Sequence, residues 1–195
     1  MRSADVVVLG AGLVGLAVAA EASARGASVL LVGETRFGEA SPAGAGMLAP
    51  GAESAELPND PVRNFAVAGR DLYPAFLSAL RDETGIDVPF DRRGILELVE
   101  DGEPVFRPPG SEWIDAQALR ELEPGLRSFA GAMRHPRDGS VDNVVLYAAM
   151  QRRAASRRSI TLVHAAARSV NVALARPRAV LEDGDVVEGG SLVVA

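Results

Sequence analysis

The feature that most constrains this chain is a hydrophobic strand that runs directly into a glycine-rich turn. Residues Asp5-Val6-Val7-Val8-Leu9 are followed by Gly10-Ala11-Gly12-Leu13-Val14-Gly15, a small-residue helix at 16–25 and a second apolar strand at 28–32. In such a unit Gly10 makes the tight turn, Gly12 lets the backbone approach a pyrophosphate, and Gly15 lets the helix pack closely on the sheet. The amides and dipole at the helix N-terminus favour phosphate. The pattern predicts a dinucleotide site; a purely structural turn is the alternative.

Composition narrows the class of protein. The 195 residues carry a formal net charge of −6, which argues against nucleic acid or an anionic membrane as the main partner. The absence of cysteine excludes disulfides, iron–sulfur clusters and a cysteinyl flavin linkage. Neither a signal peptide nor an apolar run long enough to span a bilayer is recognisable, so we expect a cytoplasmic location. The residue pattern predicts no metal site.

The last residues of the chain read as the first half of a buried parallel strand, Ser191-Leu192-Val193-Val194-Ala195. The final amides and carbonyls of a core strand need hydrogen-bonding partners. We therefore expect the chain to be a fragment of a longer protein.

A second segment rich in small residues follows the first unit, as Ser41-Pro42-Ala43-Gly44-Ala45-Gly46-Met47-Leu48-Ala49-Pro50. Its small side chains would let the backbone pack against a flat ligand. A flexible low-complexity linker is the alternative. The apolar pair at 47–48 and the position directly after the nucleotide-binding unit favour ligand contact.

The remaining pattern alternates helices and strands. Helical spacing covers 61–84, where Tyr73 before Pro74 could divide the helix in two. Strands are predicted at 95–100, 129–134, 160–163, 169–174 and 179–181, and helices after the N-cap Asp115 and at 143–157. An Asp183-Gly184 hairpin turn leads to a strand at 186–187. The order predicts an α/β nucleotide-binding domain, 1–88 and 139–195, interrupted by a mixed α+β insertion at 89–138.

Taken together, these motifs resemble the D-amino-acid oxidase superfamily of flavoproteins, and within it the glycine oxidases of bacterial thiamine biosynthesis. The resemblance rests on GAGLVG, SPAGAGMLAP, Thr84–Asp87, Arg93–Leu96 and His135–Asp142. It covers nearly all of this chain but only about the first half of a family member. It implies a Rossmann-like FAD-binding domain interrupted by a mixed α+β substrate domain and incomplete at its C-terminus.

The resemblance also implies an activity. A family member would use FAD to oxidise the C–N bond of a small amine such as glycine or sarcosine to an imine, and dioxygen would yield hydrogen peroxide. The arginine and tyrosine that grip the substrate carboxylate are expected beyond Ala195, so no catalytic side chain is assigned. The alternatives are an FAD/NAD-linked dehydrogenase, for which a second glycine-rich turn is missing, and an inert FAD-binding half. The longer protein could form a homo-oligomer.

By the same resemblance, FAD lies extended across this chain. The amides of Leu13 and Val14 would meet the pyrophosphate, Ala40 and Ser41 would line the ribityl and phosphate stretch, and the backbone of Ala167 would contact adenine. The flavin ring would lie near Ala45, Gly46 and Met47. The implied cofactor-binding set is Gly10, Gly12, Leu13, Val14, Gly15, Gly33, Glu34, Ala40, Ser41, Ala45, Gly46, Met47 and Ala167.

One position departs from the family pattern. A carboxylate usually ends the second strand and binds the adenosine ribose, but Gly33 stands there, with Glu34 one residue later. We expect a one-residue shift to bring Glu34 to the ribose; an exposed loop carboxylate is the alternative.

The remaining residues that could bind a ligand or take part in catalysis are more simply interpreted as structural. We interpret His135 and His164 as packing or surface residues, Arg92-Arg93 as a solvated turn, and Trp113 as packing within the insertion.

Overall fold

The structure is a computed structural model that describes residues 1–34, 39–53, 61–105, 107–126, 128–173 and 175–195. Its elements, in chain order, are β1 Arg2–Leu9, α1 Leu13–Ala24, β2 Val29–Val32, α2 Ala40–Ala43, β3 Met47–Leu48, α3 Pro50–Glu53, α4 Pro61–Thr84, β4 Phe90–Asp91, β5 Ile95–Val99, β6 Glu112–Asp115, α5 Ala116–Leu122, β7 Gly131–His135, β8 Gly139–Val141, α6 Asn143–Ser156, β9 Ile160–Val163, β10 Ala167–Asn171, β11 Arg178–Leu181 and β12 Val186–Val194.

The chain divides into two compact units. Unit 1 contains residues 1–44, 79–87 and 143–195, and unit 2 contains residues 45–78 and 88–142. The functional division at 1–88, 89–138 and 139–195 stays a prediction.

Unit 1 is built on a six-stranded sheet in the order β10-β11-β12-β1-β2-β9. The strands β12, β1, β2 and β9 run parallel, and β10 and β11 are antiparallel to their neighbours. All four residues of β2 are buried, as expected for a parallel strand covered on both faces. On α1 and α6 the buried residues are small or aliphatic: Leu16, Ala19 and Ala20, and Leu146, Ala149, Met150 and Ala154. Their helical spacing gives each helix one apolar face.

Two arginines at the C-terminal end of α6, Arg153 within the helix and Arg157 just after it, form ion pairs within unit 1. The guanidinium groups of Arg153 and Arg157 both contact the carboxylate of Glu83, at the C-terminal end of α4. An Arg157 Nη atom also donates to the carbonyl of Ala20 on α1. Burial raises the pKa of Glu83, but the hydrogen bonds from the two arginines outweigh it and hold that pKa below its usual value.

Unit 2 contains two small antiparallel sheets, in the orders β3-β8-β4 and β5-β7-β6. Asp115 caps α5 as expected, because its carboxylate accepts hydrogen bonds from the amides of Gln117 and Ala118 at 3.0 and 2.9 Å. The short elements α2, α3, β3, β4, β6 and β8 lack the length for a periodic signal, and the sequence did not predict them.

Several predicted elements differ from those observed. The first helix begins at Leu13 rather than 16, since Gly12 is already its N-cap. Helix α4 continues through Pro74 and is not divided there. The predicted strands at 186–187 and 191–195 form one strand, β12, which pairs with β11 at its start and with β1 along most of its length. Within the described ranges, no helix is long and apolar enough to cross a membrane.

Candidate functional site

The glycine turn of unit 1 leaves no room for side chains at two of its three glycines. Gly10 has a φ of 115°, and its amide donates to the carbonyl of Val32 at 2.8 Å. A Cβ at Gly10 would lie 2.1 Å from the carbonyl oxygen of Ala195, and a Cβ at Gly15 would lie 1.9 Å from the carbonyl oxygen of Gly10. The backbone of the turn therefore contacts both Ala195, just after β12, and the first turn of α1, which requires glycine at both positions.

The structure also gives a reason for Gly33, where the family pattern has a carboxylate. A Cβ at Gly33 would lie 2.5 Å from the Cβ of Ala11 and 2.8 Å from its amide nitrogen. A side chain at this position would collide with the glycine turn. Glu34, the next residue, is exposed and lines the same cavity as the turn.

Two hydrogen bonds connect the N-terminus of α1 to α2 and α6. The amide of Leu13 donates to the hydroxyl of Ser41 at 2.9 Å, and the side-chain amide of Asn143 donates to the carbonyl of Ser41 at 2.7 Å. Because the Ser41 hydroxyl accepts from Leu13, its own proton is available to a ligand.

Tyr147, one turn further along α6 than Asn143, forms a hydrogen bond with the glycine turn. Its hydroxyl donates to the carbonyl of Ala11 at 3.2 Å and lies 3.4 Å from a carboxylate oxygen of Glu39. Burial, followed by the negative charge of Glu39, raises the pKa of Tyr147 above its usual value. The phenol is therefore neutral at physiological pH and can keep donating.

These groups surround a cavity of about 670 Å³, named here the turn cavity. It opens at the carboxyl ends of β1 and β2, where open α/β sheets bind ligands. Its lining consists of Leu9, Gly10, Ala11, Gly12, Leu13, Val14, Gly15, Val32, Gly33, Glu34, Glu39, Ala40, Ser41, Tyr147, Ala165, Ala166, Ala167 and Ala195. None of these described lining residues is basic. An anion here would be held by backbone amides and the α1 dipole, the usual arrangement at a helix N-terminus.

Most of the sequence-predicted site residues meet in the turn cavity. Ten of the thirteen line it: Gly10, Gly12, Leu13, Val14, Gly15, Gly33, Glu34, Ala40, Ser41 and Ala167. The other three, Ala45, Gly46 and Met47, belong to unit 2. There Met47 pairs with Ser140 across β3 and β8, and the carbonyl of Gly46 accepts from the amide of Val141 at 2.9 Å. The ligand contacts of all thirteen stay predictions.

Sequence reasoning missed Glu39, Asn143 and Tyr147. Asn143 and Tyr147 are four residues apart on one predicted helix, a spacing that places both side chains on the same face. That spacing was the available signal. A neighbouring cavity of about 310 Å³ shares Ala11, Gly33, Glu34 and Tyr147 with the turn cavity and includes His164 and Arg152 in its lining.

A family model described as DAO, FAD dependent oxidoreductase, matches residues 5–195. The chain belongs to this family of FAD-dependent oxidoreductases. The expected family and the α/β fold class are thereby confirmed, and FAD is the cofactor.

Curated relatives and solved structures agree with that assignment. The chain is 34% identical to the bifunctional protein ThiO/ThiG of Synechocystis sp. over 163 residues, 79% of this chain and 24% of that protein. It is 33% identical to the glycine oxidase of Geobacillus kaustophilus over 166 residues, 78% of this chain and 44% of that enzyme. The crystal structure of glycine oxidase from G. kaustophilus superposes with a TM-score of 0.85 at 28% identity, covering 100% of this chain and 55% of the other.

A second solved structure, the glycine oxidase of Bacillus cereus, shares the fold with a TM-score of 0.80 at 24% identity, covering 98% of this chain and 55% of the other. The chain thus spans about a quarter to about half of the length of these proteins.

The residues of the turn cavity fit the phosphates of FAD. Gly12 leaves the approach to α1 free of a side chain, and a Cβ there would lie 2.9 Å from the Ser41 hydroxyl. Helix α1 has no acidic residue in its first turn, and its N-cap residue, Gly12, has no side chain to cover the helix amides. A phosphate at this end would therefore meet no competing carboxylate on the helix.

Proposed function

We propose that the protein carrying this chain oxidises the C–N bond of a small amino acid of the glycine or sarcosine type. The amine would lose two electrons and two protons to become an imine, which water hydrolyses, and dioxygen would be reduced to hydrogen peroxide. The observation that carries the proposal is the turn cavity, in a chain whose family is FAD-dependent. Relatives named glycine oxidase and ThiO/ThiG support the amino-acid substrate and a role in thiamine biosynthesis.

The proposed work of this chain is to hold and orient the cofactor. The amides of Leu13 and Val14 and the hydroxyl of Ser41 would bind the pyrophosphate, and Glu34 would accept hydrogen bonds from the ribose hydroxyls. FAD, when bound, supplies the electron acceptor that passes the two electrons to dioxygen. Tyr147 and Asn143 would act as positioning residues, because they bind the backbone of the turn and of α2.

Two further parts of the proposal rest on the resemblance alone. One is the contact of the flavin ring with Ala45, Gly46 and Met47, together with that of adenine with the backbone of Ala167. The other is the division of labour in which 1–88 and 139–195 bind FAD and 89–138 begins a substrate domain.

The test uses the purified full-length protein. Denaturation should release FAD, and addition of glycine or sarcosine should produce peroxide. Release of NAD and no flavin would contradict the cofactor assignment. FAD without peroxide from either amine would contradict only the substrate class. The 195-residue chain by itself should produce no peroxide, because the residues that grip the substrate carboxylate are expected beyond Ala195.

A further inference from the structure

Unit 2 contains a second cavity with a very different lining, named here the arginine cavity. Its volume is about 200 Å³, and its charged or titratable lining residues are Arg63, Arg70, His135, Arg137 and Asp138. The loop 108–110, of two prolines and a glycine, forms part of the wall. Three guanidinium groups therefore face one small space, together with a single carboxylate from the described lining residues.

Arg70 and Asp138 form the buried side of this cavity. Their side chains are only 7% and 1% exposed, and an Arg70 Nη atom donates to an Asp138 carboxylate oxygen at 2.8 Å. Asp138 also accepts from the amides of Gly51 and Ala52 at 3.2 and 3.0 Å. The hydrogen bonds to its two oxygens are thus supplied from within unit 2, which fixes the carboxylate in place.

A second carboxylate, that of Asp71, accepts hydrogen bonds from both Arg70 and Arg137. Asp71 accepts from Arg70 through its Nε and an Nη atom, at 3.0 and 2.8 Å, and from Arg137 at 3.0 Å. The positive charges of Arg70 and Arg137 are therefore compensated by two carboxylates, those of Asp71 and Asp138. His135 is itself paired, with its Nε2 atom 2.9 Å from an oxygen of Glu97.

Arg63 is the remaining cation, and its environment differs from that of the other two. Its Nε atom is buried and lacks a hydrogen-bonding partner in the part of the chain that the structure describes. A buried donor without an acceptor loses its hydration without replacement, which is unfavourable and is rare in native proteins. A bound acceptor in the cavity would remove this deficit.

We propose that the arginine cavity binds a small oxyanion, a carboxylate or a phosphate, with Arg63 as its principal ligand and Arg70 and Arg137 as supporting positive charges. A guanidinium matches both anions because its planar donors contact two oxygens at once. The volume suits an ion of a few heavy atoms with some water, since one water occupies about 30 Å³ in the liquid. Cavities for larger ligands begin at about 300 Å³. The inference is independent of the proposed function.

Calorimetric titration of the full protein, as purified, with sodium acetate and with sodium phosphate tests the proposal. The matched variants are Arg63→Gln and Arg120→Gln, which remove one positive charge each; Arg120 is exposed on α5 of the same unit. We expect the wild-type protein to bind at least one anion and Arg63→Gln to weaken its binding by roughly tenfold or more, the usual effect of losing a charged hydrogen bond. Arg120→Gln should bind like the wild type.

The two titrants also identify the anion: binding of acetate alone indicates a carboxylate, and binding of phosphate alone indicates a phosphate. Binding of neither anion by the wild-type protein would overturn the proposal, and so would equal affinities in the two variants. If Arg63→Gln does not fold, as judged by circular dichroism, the same titrations are made with Arg63→Lys. It keeps the charge but loses the planar pair of donors, so its affinity should fall measurably; wild-type affinity would contradict the role of Arg63.

Discussion

The two cavities offer an anion opposite kinds of partner. The turn cavity of unit 1 has neutral backbone donors and a helix dipole, and its described lining contains no basic side chain. The arginine cavity of unit 2, with a volume of about 200 Å³, is lined by three arginines. Backbone amides are fixed by the fold and need no counterion when the ligand is absent. Guanidinium groups do need one, and Asp71 and Asp138 fill that role.

This difference predicts where each site is fragile. The turn cavity depends on the absence of side chains at Gly10, Gly12 and Gly15, so added atoms should damage it. The arginine cavity depends on charge compensation, so removal of a carboxylate should damage it. Single substitutions can separate the two cases.

The largest effect should come from Asp138→Asn in unit 2. The change removes the charge that compensates buried Arg70 and weakens two backbone hydrogen bonds. Loss of one partner of a buried pair destabilises by about 3–5 kcal/mol. The single tryptophan, Trp113, lies in unit 2, so urea denaturation followed by its fluorescence reports on that unit. The control Asp71→Asn, at a half-exposed carboxylate, should lose about 1 kcal/mol; equal losses would contradict the dominant role of Asp138.

In unit 1, Gly12→Val should reduce FAD affinity by at least about a hundredfold, close to 3 kcal/mol. The new Cβ would lie 2.9 Å from the Ser41 hydroxyl, and its methyl groups would occupy the approach to the α1 amides. Flavin fluorescence during titration of the apoprotein measures the affinity. Gly69→Val is the control, because a Cβ at Gly69 meets no atom within 4 Å. Normal flavin binding by Gly12→Val would show that the turn is not the phosphate site.

Substitution of Glu34 tests whether FAD binding in the turn cavity requires a charged side chain. If its carboxylate binds the ribose, Glu34→Ala should weaken FAD binding by about 1–3 kcal/mol. Glu21→Ala, at an exposed position on α1, should leave the affinity unchanged. An unaltered dissociation constant for Glu34→Ala would mean that the backbone alone binds the ribose.

Ser41→Ala should have a smaller effect on the affinity for FAD. It removes the hydroxyl that accepts from the Leu13 amide and, in the proposed complex, donates to phosphate. The net loss of one such hydrogen bond is about 1 kcal/mol, or roughly fivefold in affinity. Ala43→Ser, which adds a hydroxyl elsewhere on α2, is the control. No change in Ser41→Ala would indicate that the Ser41 hydroxyl does not bind the phosphate.

The sequence predicted the part of the fold that is encoded locally. The glycine turn is six consecutive residues, and the apolar strands beside it are continuous runs, so the nucleotide-binding unit could be recognised. The full extent of β12 could not be predicted, because it pairs Val187 with Arg2 at the other end of the chain.

The same reasoning applies to the sites. Tyr147 reaches Ala11 across 136 positions, and Arg70 reaches Asp138 across 68. In a chain with 20 basic residues, nothing in the sequence distinguishes Arg63 or Arg70 from the others. Only the tertiary structure brings these side chains together.

The smallest effect concerns a partly exposed group of ion pairs in unit 1. Glu83 contacts Arg153 and Arg157, and its side chain is 38% exposed. Because its pKa in the folded state lies below the usual 4.5, its contribution to stability is complete above that value and disappears as the pH falls through the lower folded pKa. Solvent screening limits the contribution to about 1 kcal/mol or less.

Glu83→Gln should therefore lower the free energy of unfolding at neutral pH by up to about 1 kcal/mol, and the difference from the wild type should vanish below the folded pKa. Urea denaturation across that range, followed by circular dichroism at low salt, measures the difference. Glu21→Gln, which removes an exposed pair with Arg25 on α1, should cost about 0.3–0.5 kcal/mol at most. A pH-independent deficit in Glu83→Gln would show that the residue stabilises unit 1 by packing. In that case the half-exposed ion pairs of Glu83 would contribute nothing measurable, and their contrast with the buried Arg70–Asp138 pair of unit 2 would be sharper.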